Sequence, residues 1–303
     1  MTPTFIEEPD GKIRRYWVYG LVLESEVPFP ELIETEITAS NADVTLRLGS
    51  IDADNPEWTP LGHHFKYTDT AYLTTVSPDC RLLCRNGNEI IVDVAPGFSW
   101  LETRTHILGG KLAVLLQQRG HFAFHVSAVE TPQGAWIFTG ASGAGKSTSA
   151  AILGERMGWP LITDDVALIR MVDDVAMISG GVTKVKLWED SIDMLALNRS
   201  SGQPDTWRHD KFHFLARQNA KCQAFPVARF FLIEPDQSGP PEPISGFQCV
   251  DHLEQSIFRR RTTPLFQAAK TGPIELLRLA GAIPMYRTGR LNEKTLAAMC
   301  EGS

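Results

Sequence analysis

Gly140-Ala141-Ser142-Gly143-Ala144-Gly145-Lys146-Ser147 is the stretch on which the reading of this chain turns. It satisfies G-x-x-x-x-G-K-[ST], the Walker A or P-loop pattern. The physics is local. Glycines let successive backbone N–H groups face one anion, and a following helix adds the positive end of its dipole. Lys146 reaches the β- and γ-phosphates as a point charge, and the Ser147 hydroxyl is placed to ligate Mg²⁺. The context agrees, with a strand expected over Ala135–Thr139 and a helix from Lys146 to about Met157. The expected ligand is ATP with Mg²⁺, held by Gly140, Ser142, Gly143, Ala144, Gly145, Lys146, Ser147 and Thr148.

Working outward, Asp164 and Asp165 lie eighteen and nineteen residues after Lys146. Loop, helix and strand (Trp159–Thr163) return the chain to the sheet edge where the phosphates sit, because right-handed crossovers put strand ends on the same side. One carboxylate there can hold Mg²⁺ and the other accept a proton from an attacking hydroxyl. Asp173-Asp174 is the contrasting pair, read as a solvated turn. His125 stands in Phe124-His-Val-Ser-Ala128, before the loop. By itself such a histidine reads as a satisfied core residue.

Composition narrows the classes. The chain has 303 residues, 43% hydrophobic and 21% charged, which is enough for one large or two ordinary globular domains. Its net charge of -7 argues against a general nucleic-acid or membrane-surface binder, since those need a basic footprint; Arg259-Arg260-Arg261 is a short local exception. The five cysteines are scattered, and Cys80 and Cys84 as C-x3-C without a second pair make poor zinc spacing. Reduced thiols, a start without a secretory signal and the lack of a run of ~20 apolar residues together give a cytoplasmic expectation.

Residues 1–100 read as strands and turns: Tyr16–Glu24, Val44–Leu48, Ala71–Val76, and a hairpin around Asn86-Gly87 between Leu82–Cys84 and Glu89–Val92. Near residue 100 the period changes to helical, through Leu108, Leu112, Leu115 and Leu116 to Gln118. The expected division is therefore a β-rich domain over 1–100 and an α/β P-loop domain over 101–303. Within the second, strands are expected at Phe122–Val129, Val227–Ile233 and near Pro284–Tyr286. Helices are expected at Val250–Arg260, at Ile274–Leu279 and from Leu291.

H-x-S-A at His125, GASGAGKS at Gly140 and Asp164-Asp165 together resemble the catalytic domain of HPr kinase/phosphorylase. They look more like the HPr-kinase-related proteins of peptide modification, including lasso-peptide precursor kinases. The resemblance covers roughly residues 105 to 195 well and the C-terminal third loosely. It implies a fold similar to HPr kinase and PEP carboxykinase, closed homo-oligomers, and a kinase acting on a serine of a peptide or small protein. It implies Asp164 as general base, His125 as its neighbour, and Asp165 assisting metal or position. Lys184-Val-Lys-Leu-Trp-Glu-Asp190 resembles the K/R-L-W segment of the related group, where Lys184 or Lys186 neutralises phosphate or forms a solvated strand edge. Met177–Val182 lacks the Glu and Arg-Gly of HPr kinase proper, and residues 1–100 do not resemble its N-terminal domain. The β-rich region is then the expected holder of a peptide, by strand addition. Two other functions fit the same loop: a small-molecule hydroxyl kinase, and a nucleotide-binding regulator that transfers nothing.

Overall fold

In the computed structural model, residues 8–36, 42–205, 208, 210–216, 221–292 and 295 are described. The chain is mixed α/β with several sheets and divides into two compact units. Among the described residues, the first takes those up to Ala123 together with Phe258–Pro273; the second takes those of Phe124–Ile257 and those from Ile274 onward. This differs from a cut at residue 100, because the helices that follow it pack with the β-rich region.

The first unit holds β1 (Arg14–Val18), β2 (Leu21–Ser25), β3 (Ile33–Glu34), β4 (Val44–Leu48), β5 (Thr59–Pro60), β6 (Phe65–Tyr67), β7 (Ala71–Ser77), β8 (Cys80–Arg85) and β9 (Glu89–Val94). They form one sheet in the order β3-β1-β2-β4-β9-β8-β7-β6-β5. The run Tyr16–Glu24 is two strands rather than one. Tyr19 (φ 51°) and Gly20 (φ 77°) both adopt positive φ and turn β1 back onto β2. Asn86 and Gly87 do the same between β8 and β9. Both sheet edges, β3 and β5, are two residues long and β5 contains Pro60, so they offer little ladder for strand addition.

After β9 come α1 (Trp100–His106), a π-turn over Ile107–Lys111, and α2 (Leu112–Gln118). Ser99 caps α1 by accepting from the Glu102 N–H. Gln117, fully buried, explains the return of residues 258–273 to this unit. Its amide donates to the Phe258 carbonyl at 3.2 Å and its oxygen accepts from the Thr262 hydroxyl at 2.6 Å.

The chain then enters β10 (Ala123–Phe124), β11 (Ser127–Thr131), β12 (Gly134–Thr139), α3 (Lys146–Met157), β13 (Leu161–Asp164), β14 (Ala167–Val172), β15 (Val175–Ser179), β16 (Lys184–Trp188) and α4 (Glu189–Met194). It continues through β17 (Gln203–Pro204), β18 (Lys211–Leu215), β19 (Phe225–Ile233), β20 (Glu242–Ile244), α5 (Phe247–Gln255), α6 (Ala268–Ala282) and β21 (Met285–Thr288). Phe122–Val129 is interrupted, since His125 and Val126 leave the ladder between β10 and β11. The helix expected over Val250–Arg260 ends at Gln255, because Ile257 is drawn into a bridge with Phe124. Ile274–Leu279 is the middle of a longer α6, in which Gly272-Pro273 is an interior step rather than a boundary. The helix expected from Leu291 falls mostly outside the described residues.

The second unit's main sheet runs β14-β15-β19-β12-β11-β13, with β21 beside the C-terminal half of β19 and β20 beside β21. β12, β19 and β21 are mutually parallel, and β13 shares their direction because both β12 and β13 are antiparallel to β11. Their C-terminal ends therefore lie along one sheet edge, which is where α/β sheets place ligands. Trp136, Phe138, Phe231, Ile233, Ile152 and Leu153 make the core between this sheet and α3.

Candidate phosphate-loop site

The loop joins β12 to α3. Gly140 sits at φ 143°, and a Cβ there would meet the Ile233 carbonyl oxygen at 2.7 Å, so only glycine lets the loop leave β12 beside β19. Ala144 is buried in the core beneath the loop. Gly145 (φ 114°) opens α3 without a side-chain cap, and no acidic residue stands in the first turn. The helix start thus keeps its N–H groups for an outside acceptor. Lys146 bends back over the loop, donating to the carbonyls of Gly140 at 2.8 Å and Ala141 at 3.2 Å. Burial holds its ammonium below the usual lysine range, against the pull of Asp164 and Asp165.

Asp164 is the last residue of β13, and Asp165 is the first beyond it, at φ 86°. Ser127 on β11 faces Phe138 of β12 on one side and Asp164 on the other. The carboxylate therefore stands two strand spacings, roughly 10 Å, from the strand that carries the loop. Both its oxygens are held. The Ser127 hydroxyl donates to Oδ1, and the Lys186 backbone N–H donates to Oδ2 at 2.8 Å. Asp165 takes a different set: Lys186 Nζ donates to Oδ2 at 2.6 Å, and His125 Nε2 lies 3.3 Å from Oδ1. Burial pushes the Asp165 carboxyl up, but the Lys186 ammonium and then His125 override it and hold it well below the ordinary range. Burial pulls the Lys186 ammonium down, but Asp165 foremost, with Asp164 and Asp205, raises it above the ordinary range.

His125 is therefore the neighbour of Asp165 rather than of Asp164. Its backbone N–H donates to the Ser256 carbonyl at 2.6 Å, and the Ser256 hydroxyl lies 2.8 Å from that of Thr139, at the end of β12. The C-terminus of α5 thus pins the irregular step between β10 and β11. Asp173 and Asp174 form the β14–β15 turn, at φ 46° and 64°, away from the site.

One cavity of about 340 Å³ gathers most of the sequence-expected residues: His125, Ser142, Gly143, Gly145, Lys146, Ser147, Thr148, Asp164 and Asp165. Gly140 and Ala144 shape the loop from behind and are not in the wall. The Thr148 hydroxyl lies 2.8 Å from that of Ser191, on α4. Of the two candidate lysines Lys186 is in the wall and Lys184 is not. The wall also holds Trp188 and Asp190, from the segment quoted for its K/R-L-W pattern, and Lys211 and Arg290, which local sequence did not single out. Arg290 follows β21 and donates to the Gly143 carbonyl at 3.3 Å.

No group of three or more His, Cys, Asp or Glu side chains among the described residues could hold a metal ion. Ser147, Asp164 and Asp165 do line the same cavity, and Mg²⁺ needs only one or two protein oxygens when a triphosphate and water supply the rest. The donors fit an ion that arrives with its nucleotide. Cys80, Cys84 and Cys249 are free, buried thiols, and Cys300 lies outside the described residues. No helix among the described residues is long and apolar enough to cross a membrane.

The chain is similar to a solved kinase structure. That structure is the Hpr(Ser) kinase/phosphatase from Coxiella burnetii, at 12% identity and a TM-score of 0.31, over 59% of this chain and 86% of that one. No protein-family model and no curated protein matches the chain.

Proposed function

We propose that this protein is a kinase that transfers the γ-phosphoryl group of Mg-ATP to a serine hydroxyl of a peptide or small protein. The observation that supports it is the convergence of the phosphate loop, Asp164, Asp165, His125 and Lys186 on one cavity. A loop alone would serve any nucleotide binder. Paired carboxylates in the same wall serve a reaction in which a hydroxyl loses its proton as it attacks phosphorus.

In this reading Lys146 and the N-terminal N–H groups of α3 hold the phosphates, and Ser147 with Asp165 holds the ion that comes with them. Asp164 accepts the acceptor's proton. Each of its oxygens has one donor and so keeps a second acceptor direction, and Ser127 and the Lys186 N–H fix its orientation. The new bond joins the serine oxygen to the γ-phosphorus, and the bond to the β–γ bridging oxygen breaks as ADP leaves. Most of the rate comes from position and charge.

A second assignment of the base follows from the His125–Asp165 contact, in which the carboxylate orients the imidazole as proton acceptor. Burial pushes the Asp165 carboxyl up, but the Lys186 ammonium overrides it and holds it well below the ordinary range, so Asp165 is a weak base.

The test is incubation with Mg-ATP and serine-bearing peptides, read by mass spectrometry for added phosphate. Phosphoserine that disappears with Asp164→Asn supports the reading. Transfer to small hydroxyl compounds alone, or nucleotide binding without transfer to any acceptor, refutes it.

A further inference from the structure

The small sheet β16-β18-β17 alternates between two environments. Val185, Leu187 and Phe214 enter an apolar core with Ile192 of α4 and with Ala151 of α3. The residues between them share the opposite face: Lys184, Lys186 and Trp188 on β16, and Lys211 and His213 on β18. Lys186 stands across from His213. One same-face step further, roughly 7 Å along the strand, Trp188 stands across from Lys211.

The basic side chains of the cavity wall differ in what they touch. Lys146 donates to loop carbonyls, Lys186 to Asp165 and Arg290 to Gly143. Lys211 lies over the Trp188 ring, 5.2 Å from its centre, and among the described residues no oxygen accepts from its ammonium. Burial holds that ammonium below the ordinary lysine range, with Lys186 and Arg208 pushing the same way and Asp164 and Asp165 against them. Its charge also reaches Lys146 on the loop. A partly desolvated cation facing other cations is costly unless a bound anion compensates it.

We infer that Lys211 is a second phosphate-binding cation, which holds the terminal phosphoryl group of a nucleoside triphosphate from β18 while Lys146 holds it from the loop. The inference rests on the nucleotide reading above and deepens it. The terminal phosphoryl fits better than the remaining phosphates, because Lys211 shares one cavity wall with Lys146 of the loop and with Asp164 and Asp165, the carboxylates assigned to the reacting end. That is where charge spreads over the equatorial oxygens during transfer. Trp188 supports the lysine stem and holds its charge by a cation–π contact.

The experiment compares the full-length protein with Lys211→Met and Lys211→Arg, titrating ADP and the β,γ-imido analogue of ATP, both with Mg²⁺, by calorimetry. Lys211→Met is expected to lose about tenfold or more in affinity for the analogue and less than about threefold for ADP. Lys211→Arg, which keeps the charge, is expected to retain most of the analogue affinity. Equal losses for the two nucleotides, or none, overturn the inference. A Lys211→Met effect confined to the acceptor's KM also overturns it and assigns the lysine to an anion on the acceptor. If the unsubstituted protein binds neither nucleotide, the nucleotide reading fails and takes this inference with it; the other failures leave that reading standing.

Discussion

Lys186→Met removes the ammonium that holds Asp165 while keeping most of the side-chain volume. The side chains of the pair are 17% and 27% exposed, so the contact lies between a surface ion pair and a buried one. Exposed pairs contribute about 0–1 kcal/mol, and breaking a buried pair costs about 3–5 kcal/mol. About 2 kcal/mol is expected at neutral pH, with His125 left as partner on one carboxylate oxygen. On the scale of ~2–4 °C per kcal/mol for a unit of this size, the transition should fall by roughly 4–8 °C.

The pH dependence carries the sharper test. With Lys186 present the Asp165 carboxyl is held low, so its contribution is complete above the unfolded value of about 3.9 and is lost only as pH falls through the lower folded value. In Lys186→Met burial is no longer overridden by the lysine, the carboxyl moves up, and acidification relieves the strain. Urea unfolding at pH 7.5 and pH 5 should therefore show a wide gap between the two proteins at the higher pH and a narrower one at the lower. A gap that is absent at pH 7.5, or that widens toward pH 5, refutes the reasoning.

Three further outcomes are expected. Asp164→Asn should lower phosphoryl transfer by about a thousandfold and leave nucleotide affinity within about threefold, measured by single-turnover phosphorylation and calorimetry. Ser127→Ala deletes a buried donor to Asp164 and should cost about 1–3 kcal/mol by urea unfolding; kcat should fall roughly tenfold with nucleotide affinity unchanged. His213 is held down to about 4 by burial, foremost, and by Lys184, against Asp205. Below its unfolded value of about 6.5 the unfolded chain binds more protons, so this contribution is full above pH 6.5 and is lost toward pH 4. His213→Gln should flatten the fall in unfolding free energy between pH 6.5 and 5 by up to about 1.4 kcal/mol per pH unit.

The parts of the site legible in the sequence are those whose chemistry is written within a few consecutive residues. The loop is one such part, and Asp164-Asp165 is another, because its distance from Lys146 is one helix and one strand. Lys211 and Arg290 were not legible as wall residues, since strand pairings with distant segments bring them in. Ser127 was quoted but not read as a donor to Asp164, because that contact depends on the β11–β13 register. The same holds for the units. Nothing local marks residues 258–273 as belonging with the first one, because the link is a buried amide, Gln117, satisfied by groups more than a hundred positions away. Tyr16–Glu24 shows a smaller version of the problem: continuous apolar character concealed a two-residue turn that only backbone sign distinguishes.

The two-faced strand β16 has a further consequence. Its greasy side is cemented to Ala151 on the very helix whose first turn carries Lys146 and Ser147, so the wall and the loop are built on a shared foundation. A deletion of one residue within 184–186 would rotate the downstream positions to the other side, sending Leu187 to the cavity face and Trp188 into the packed interior. The span thus behaves as a fixed ruler between the charged groups of the cavity rather than as a tolerant connector.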